Sequence, residues 1–343
     1  MDETLLHGIS MKSSILLVIF LVSGMIFCGC LSVSETPVKT VRVAYQPTTT
    51  NGPLYIAQEE GNFARQGITV EFVKTQNPAA ALPLLVSGEV AVSTGPMKIG
   101  LLNALIKGEH VRIVADKGRV TPGSCTAYAL MVRKDLYDSG IVTKVSDLKG
   151  RKIAVRDSDY DLYQALALGN LSPDDVEAVD MEFTSIVPAF KNGAIDAALV
   201  AEPYITLAGN NRAAVVLVPA QDFLSGWPFP LYYGPAILDK DPELGRRFMV
   251  AYLQGVEQYN KGKTERNLNI MVNYTHLDRE LLNQTCWYYV EPDGYLPPQS
   301  VREFADWMYA NKKISQNVRD DQLLDMSYAT YANGILLNTT NNR

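Results

Sequence analysis

The sequence is poor in the residues that most often carry catalysis and metal binding. Its 343 residues include three histidines and four cysteines. Cys125 and Cys286 are the two cysteines outside the N-terminal region, too few for a disulfide framework or a cysteine-rich zinc site. Basic runs are also missing, and 31 Lys+Arg stand against 37 Asp+Glu. This balance argues against nucleic acid as the main partner.

Familiar catalytic motifs are equally absent. The sequence contains no G-x-S-x-G, H-E-x-x-H, P-loop or G-x-G-x-x-G. His110 and His276 have no Cys, Asp or Glu at metal or triad spacing. We therefore predict a protein that is not an enzyme and that needs no metal or cofactor. Cys125 and Cys286 either pair after export or remain buried thiols, and their spacing leaves both open.

The sequence does contain one long apolar run, near its N-terminus. Ile15–Phe27 spans 13 residues, shorter than the roughly 20 that a transmembrane helix needs but typical of a signal peptide. Residues 1–29 are predicted to be that signal peptide, which shortens to residues 11–29 if translation starts at Met11. The run ends in a sequence that resembles the lipobox of lipoproteins, which implies lipidation of Cys30. The alternative is an uncleaved membrane anchor, and either would hold the chain outside the cytoplasmic membrane. Residues 30–39 read as a lipidated cysteine and a tether.

The body of the chain alternates strands and helices, which predicts an α/β fold with mostly parallel sheets. The pattern begins at Val41 and restarts at Lys152. Gly88 is predicted to end a helix as its C′ residue. The residue pattern around it recurs around Gly193. We infer that one supersecondary unit was built twice.

Two extended stretches, 128–132 and 231–238, are predicted to connect the halves as hinge strands. The helical tail after Pro242 is too long to pack on the second half alone and is predicted to return to the first. The predicted architecture is a two-lobed periplasmic-binding-protein-like fold. Lobe 1 comprises residues 40–127 and 235–343, and lobe 2 comprises residues 128–234.

Several blocks in order resemble the sulfonate/nitrate/taurine/thiamine-pyrimidine family of binding proteins of ABC importers. They are Tyr45-Gln46-Pro47, Pro53–Ala57, Glu60-Gly61, Gly67-Ile68, Gly88-Glu89-Val90, 147–155 and 193–204. The resemblance covers about residues 41 to 260. It implies an exported monomer that captures a small polar or anionic molecule and delivers it to a permease and its ATPase.

Two segments depart from the family pattern. Val92-Ser93-Thr94-Gly95 stands where Asp-Val-Gly is common, and Asp157-Ser158-Asp159-Tyr160 replaces a glycine- and serine-containing loop. The two aspartates favour a ligand that offers hydrogen-bond donors or positive charge, such as an aminopyrimidine or an amino-sulfonate.

Ligands of open α/β sheets bind at the carboxyl ends of the strands. Predicted ligand-binding residues lie in the loops there or among nearby aromatic side chains: Tyr45, Gln46, Thr48, Thr49, Thr50, Asn51, Ser93, Thr94, Gly95, Lys117, Ser158, Asp159, Glu202, Trp227 and Tyr232. Each has a structural alternative. The hydroxyl and carboxyl groups also suit helix caps, Lys117 suits a solvated strand end, and the aromatic rings suit hinge packing.

The predicted function is that of a solute-binding lipoprotein that closes its lobes on a ligand. Two other classes of protein stay open. One is an enzyme similar to the pyrimidine synthases, which share the fold, and the other is an exported sensor.

Overall fold

The computed structural model describes residues 38–75, 78–156 and 159–341. The predicted signal peptide, Cys30 and most of the predicted tether lie outside these ranges. Across the three ranges, no helix has both the length and the apolarity required to cross a membrane.

The first sheet has the strand order β2-β1-β3-β10-β4. Strand β10 runs antiparallel to its neighbours, whereas β1 is parallel to β2 and β3. The strands are β1 (Lys39–Tyr45), β2 (Ile68–Lys74), β3 (Val92–Thr94), β4 (Arg112–Arg119) and β10 (Pro228–Tyr233). Their helices are α1 (Gly52–Glu59), α2 (Asn62–Arg65), α3 (Pro78–Val86) and α4 (Ile99–Ile106).

The second sheet repeats this plan in the order β7-β6-β8-β5-β9. Its antiparallel strand, β5, occupies the same position as β10 in the first sheet. The strands are β5 (Tyr128–Arg133), β6 (Lys152–Val155), β7 (Glu177–Asp180), β8 (Ala197–Ala201) and β9 (Ala214–Pro219). The helices are α5 (Lys134–Asp138), α6 (Asp159–Ala167), α7 (Phe183–Lys191) and α8 (Tyr204–Asn210).

The shared strand order supports the predicted duplication of one unit. Gly88 and Gly193 both follow a helix and have φ of +76° and +72°, the left-handed conformation that glycine adopts at least cost. The predicted C′ roles of both glycines are confirmed, and the chain has the predicted two-lobed α/β fold.

The crossings between the sheets lie next to the predicted hinge stretches. Residues 128–132 fall inside β5 and residues 231–233 fall inside β10, whereas Pro235–Leu238 is helical, so the strand prediction is wrong for the end of the second stretch. The chain passes to the second sheet through residues 120–127 and returns through residues 220–227. Residues 228–233, which the predicted boundaries gave to lobe 2, pair in the first sheet.

The C-terminal segment is helical, as predicted, and packs mainly on the first sheet. Its helices are α9 (Pro235–Leu238), α10 (Pro242–Tyr259), α11 (Glu265–Thr275), α12 (Arg279–Gln284), α13 (Pro298–Ala310), α14 (Asp320–Leu323) and α15 (Ser327–Asn341). Helix α10 buries Phe248, Tyr252 and Val256 against α1 and the sheet. At the crossing of α10 and α1, a Cβ on Gly255 would lie 2.2 Å from the Pro53 carbonyl oxygen.

A third segment of the chain lies along the first crossing and the end of β4. The Cys125–Cys286 disulfide joins the first crossing to the C-terminal segment, with Cα atoms 5.6 Å apart. Tyr288 donates a hydrogen bond from its hydroxyl to the Ala127 carbonyl oxygen at 3.1 Å. The Arg119 amide donates to the Tyr289 carbonyl oxygen at 3.1 Å. We call residues 286–290 the strap. The sequence left open whether Cys125 and Cys286 pair or remain buried thiols, and in the structure they pair.

Candidate functional site

The two sheets meet at the carboxyl ends of their parallel strands. Strand β4 ends at Arg119, and after eight residues β5 begins at Tyr128, which pairs with Ala201 at the end of β8. Strand β9 ends at Pro219, and after another eight residues β10 begins at Pro228, which pairs with Arg119. Both crossings therefore join one carboxyl edge to the other. Because a residue spans at most about 3.6 Å, each eight-residue crossing keeps the two carboxyl edges within about 30 Å of one another.

The loop after β1 is a closed turn on the first-lobe edge. The Asn51 side-chain nitrogen donates to the Gln46 carbonyl oxygen at 2.7 Å, and the Thr48 and Thr50 hydroxyls are 2.9 Å apart. Thr49 and Asn51 are buried. The Asn51 Oδ1 atom is also buried and has no hydrogen-bond partner among the described residues. The turn thus contains one buried acceptor, the Asn51 Oδ1 atom, that can accept a hydrogen bond from a ligand donor.

Tyr45 precedes this turn, and its ring packs against neighbouring aromatic rings. Its ring centroid lies 5.2 Å from that of Phe72 and 6.1 Å from that of Tyr55. These contacts match the packing alternative that the sequence left open for Tyr45.

Strand β3 brings Ser93 and Thr94 to the same edge, where both are buried. Their backbones pair with Tyr232 and Leu231 of β10. The Tyr232 hydroxyl donates to the Gly95 carbonyl oxygen at 3.4 Å. The predicted residues 93–95 and Tyr232 therefore meet, with Tyr232 supporting the loop.

Lys117 lies inside β4, not in the loop where the sequence placed it. Its side chain is 1% exposed, and its ammonium donates to the Thr50 carbonyl oxygen at 3.2 Å. Burial lowers the pKa of Lys117 to about 7, and the neighbouring Asp116 carboxylate acts in the opposite direction. Lys117 thus brings a buried cation against the turn that contains Asn51.

Asp116 faces Glu291, the residue that follows the strap. Its carboxylate accepts hydrogen bonds from the backbone amides of Glu291 at 2.8 Å and Gly118 at 3.2 Å. Burial raises the pKa of Asp116 to about 6, and these two amides partly oppose the shift. The acid therefore stabilises the junction of β4 with the strap and is not directed towards the Asn51 turn.

On the second lobe, Glu202 follows β8 but already has partners. Its carboxylate accepts from the Thr206 hydroxyl at 2.8 Å, the Thr206 amide at 3.1 Å and the Cys286 amide at 3.2 Å. Burial raises the pKa of Glu202, and these hydrogen bonds act against that shift. Glu202 thus fastens the start of α8 to the strap. Ser158 and the Asp159 side chain lie outside the described residues.

Trp227 lies at the end of the second crossing and is 6% exposed. Its ring stacks on Tyr160, at the start of α6, with centroids 4.9 Å apart. Phe304 of α13 packs against both rings at 5.3 and 5.4 Å. Trp227 therefore connects the second lobe with the C-terminal helices, which agrees with the packing alternative.

Three residues at the second-lobe edge are not among the ligand-binding residues predicted from the sequence, although Tyr204 ends one of the predicted loops. Arg156 follows β6, Phe183 follows β7, and Tyr204 follows β8. Arg156 immediately precedes the acidic 157–159 segment, whose aspartates predict a donor-rich or cationic ligand, the opposite of what a cation selects. Within the described ranges, no three His, Cys, Asp or Glu residues cluster as metal ligands.

A family model described as NMT1/THI5 like matches residues 48–262, which contain the Asn51 turn, β3 and the second-lobe edge. The chain belongs to the NMT1/THI5-like family. The matched range nearly coincides with the residues on which the family resemblance was based.

Among curated relatives of this NMT1/THI5-like chain, the Taurine-binding periplasmic protein of Escherichia coli (strain K12) is 30% identical over 170 residues, 48% of this chain and 49% of that protein. The chain spans 44% to 49% of the length of the first curated relatives. A Bacillus subtilis (strain 168) protein named for binding aliphatic sulfonates is 25% identical over 324 residues. That match covers 91% of this chain and 93% of the Bacillus protein.

Solved structures share the fold. The periplasmic nitrate-binding protein NrtA of Synechocystis PCC 6803 has a TM-score of 0.72 at 15% identity, covering 87% of this chain and 89% of that one. The desulfurization enzyme DSZB has a TM-score of 0.67 at 14% identity, covering 87% and 99%. The same two-lobed fold thus occurs in binding proteins and in an enzyme.

Proposed function

We propose that the protein is an extracytoplasmic solute-binding component of an ABC importer. It captures a small polar or anionic organic molecule between its lobes and presents the closed form to a permease. The observation that carries this proposal is the pair of opposed carboxyl edges joined by two eight-residue crossings, in a chain whose relatives are named for binding taurine and aliphatic sulfonates.

The first-lobe edge supports a polar ligand. The buried Lys117 ammonium suits a ligand oxyanion, and the unpartnered Asn51 Oδ1 suits a ligand donor. Ser93 and Thr94 add hydroxyls that donate and accept. The Cys125–Cys286 disulfide is consistent with an oxidising compartment outside the cytoplasm.

Binding is tested by thermal shift and calorimetry on the chain from residue 30 onward. The panel comprises taurine, alkanesulfonates, nitrate, aminopyrimidines and riboflavin. A ligand present at 100 times its Kd stabilises the folded state by about 2.7 kcal/mol, which raises the Tm by several degrees. A panel in which no member raises the Tm or releases heat would contradict the capture of these solutes.

An enzyme is the second candidate, because DSZB shares the fold. Among the described residues, the sites near the carboxyl edges contain no histidine, and both cysteines are in one disulfide. We therefore favour binding without chemical change of the ligand. Recovery of an intact ligand after incubation supports this choice, and a new product would contradict it.

The membrane attachment is proposed to be a lipid on Cys30. Expression in a host that processes lipoproteins should place the wild type in the membrane fraction, with a diacylglyceryl mass on its first residue. Cys30→Ser should release the protein or leave residues 1–29 uncleaved, whereas Cys28→Ser should behave as the wild type. A wild type that retains the residues before Cys30 and carries no diacylglyceryl mass would favour the uncleaved anchor.

A further inference from the structure

Three parallel strands of the second sheet each deliver one side chain to the same place. Arg156, Phe183 and Tyr204 follow β6, β7 and β8, whose carboxyl ends share one edge. The Arg156 guanidinium carbon lies 5.6 Å from the centroid of the Phe183 ring, and that ring lies 5.8 Å from Tyr204. We call these three residues the second-lobe patch.

Arg156 also acts electrostatically on Tyr204. Burial raises the pKa of the Tyr204 phenol, and the Arg156 charge opposes that rise. The guanidinium is therefore near both aromatic side chains. The patch combines a fixed cation with two rings.

The ion pair of Arg156 leaves the guanidinium available to a ligand. Its carboxylate partner is Glu182, whose side chain is 66% exposed, whereas that of Arg156 is 19% exposed. Water and salt reach the Glu182 side of this pair and screen it. A planar guanidinium binds an oxyanion through two parallel hydrogen bonds, and this geometry strengthens when a cleft excludes water. A ligand oxyanion can therefore replace Glu182.

Building on the proposed function, we propose that Arg156 is the anion-selecting residue of the second lobe. The ligand is an organic oxyanion whose charged end binds Arg156 and whose carbon skeleton packs on Phe183 and Tyr204. The ligand charge proposed here is opposite to the one predicted from Asp157 and Asp159 in the sequence, which favoured a cationic or donor-rich ligand. Lys117 lies in β4 of the first sheet, buried behind the Asn51 turn, so Arg156 is the more exposed of these two cations.

Arginine modification tests the patch without knowledge of the natural ligand. Phenylglyoxal labels accessible guanidinium groups, and peptide mass spectrometry locates the adducts. Benzenesulfonate should slow labelling of Arg156, and the uncharged benzenesulfonamide should not. Equal labelling of Arg156 with and without benzenesulfonate would overturn the proposal.

Arg133 provides the matched control within the same sheet. Its side chain is 18% exposed, close to the 19% of Arg156. It forms ion pairs with Asp135 and Asp196. It lies at the opposite edge, because β5 runs antiparallel to β8 and ends there. Benzenesulfonate should leave its labelling unchanged. Equal protection of Arg133 and Arg156 would indicate nonspecific binding and would also overturn the proposal.

Calorimetry on variants gives the second readout, with benzenesulfonate and with every panel compound that the wild type binds. Arg156→Gln should weaken binding roughly 10- to 100-fold, because a charged hydrogen-bond pair is lost. Arg156→Lys should recover part of the affinity, since it keeps the charge but loses the bidentate geometry. Glu182→Gln should tighten binding by removing the competitor. Arg133→Gln should match the wild type.

The outcomes separate the two proposals. A panel ligand that binds wild type and Arg156→Gln equally would leave the binding function standing and overturn the role of Arg156. Protection of Arg156 by benzenesulfonate, in a protein that binds no panel compound, would support the patch and contradict the panel solutes as ligands. Circular dichroism and Tm confirm that each variant is folded.

Discussion

At the scale of single residues, Lys117 is an ionisable side chain buried in the protein interior. Burial lowers its pKa to about 7, whereas an unfolded lysine titrates near 10.4. Between about pH 7 and pH 10 the unfolded chain therefore binds more protons than the folded chain. Stability contributed by this group rises with pH across that window and is lowest below it.

We predict that the free energy of unfolding of the ligand-free protein increases from pH 7 to pH 9. Lys117→Met should remove most of that increase and should be more stable than the wild type at pH 7. Lys107→Met, at an exposed helix end, should keep the slope of the wild type. Urea denaturation at three pH values measures the effect. A slope that is unchanged in Lys117→Met would contradict burial of the charged ammonium.

At the scale of secondary-structure elements, the contact between α1 and α10 depends on a missing side chain. A Cβ on Gly255 would meet the Pro53 carbonyl oxygen at 2.2 Å and the Ala57 Cβ at 2.9 Å. Gly334 in α15 is the opposite case, since no atom lies within 4 Å of a Cβ built there.

Alanine at these two positions should therefore change stability in opposite directions. Gly334→Ala should stabilise the protein by up to about 1 kcal/mol through helix propensity. Gly255→Ala should destabilise it by about 1–3 kcal/mol, because overpacking exceeds the same propensity gain. Chemical denaturation of both variants measures the difference. Stabilisation by Gly255→Ala would show that the two helices separate easily.

The strap is the second element whose energetics can be measured. The Cys125–Cys286 disulfide closes a loop with a sequence separation of 161 residues. Cross-links of this length stabilise small proteins by about 2–5 kcal/mol, largely by constraining the unfolded chain. The Cys125→Ser/Cys286→Ser double variant should lose stability in this range. Wild type reduced by dithiothreitol should unfold at the same urea concentration as the double variant, and a higher midpoint for the reduced protein would assign the loss to the serines.

Sequence periodicity located most elements because helices and strands depend on local residue patterns. The glycine-ended helices before Gly88 and Gly193 are the clearest success. Strand β9 was missed because its apolar residues 214–219 lie between polar loops without alternation. The sequence predicts a loop at Lys117 and Gly118, whereas pairing of Asp116 and Arg119 with β10 keeps both residues within β4. Glu202 and Arg156 needed three-dimensional partners, Cys286 and Phe183, that are far away in the sequence.

At the scale of the whole molecule, the three tryptophans surround the crossings or the helices packed on them. Trp227 stacks on Tyr160, Trp287 stacks on Tyr259 at 5.3 Å, and Trp307 contacts Tyr160 at 5.2 Å. A rotation of the lobes moves Tyr160 relative to Trp227, so intrinsic fluorescence should report closure.

We predict that a bound ligand changes tryptophan emission and lowers the radius of gyration measured by small-angle X-ray scattering. Closure brings contacts from the second lobe to the ligand, so the ligand favours the closed population. Trp227→Phe should reduce the emission change while preserving the scattering change. A ligand that binds tightly and alters neither signal would show that the lobes do not move.

The disulfide between the strap and the first crossing has a practical consequence for anyone who prepares this protein. Material made in a reducing bacterial cytosol has free thiols, and the strap then contacts the first crossing without a covalent bond. Preparations from an oxidising compartment contain the linked form. Binding constants from the two sources therefore describe two different molecules, and thiol titration of each batch identifies which one was measured.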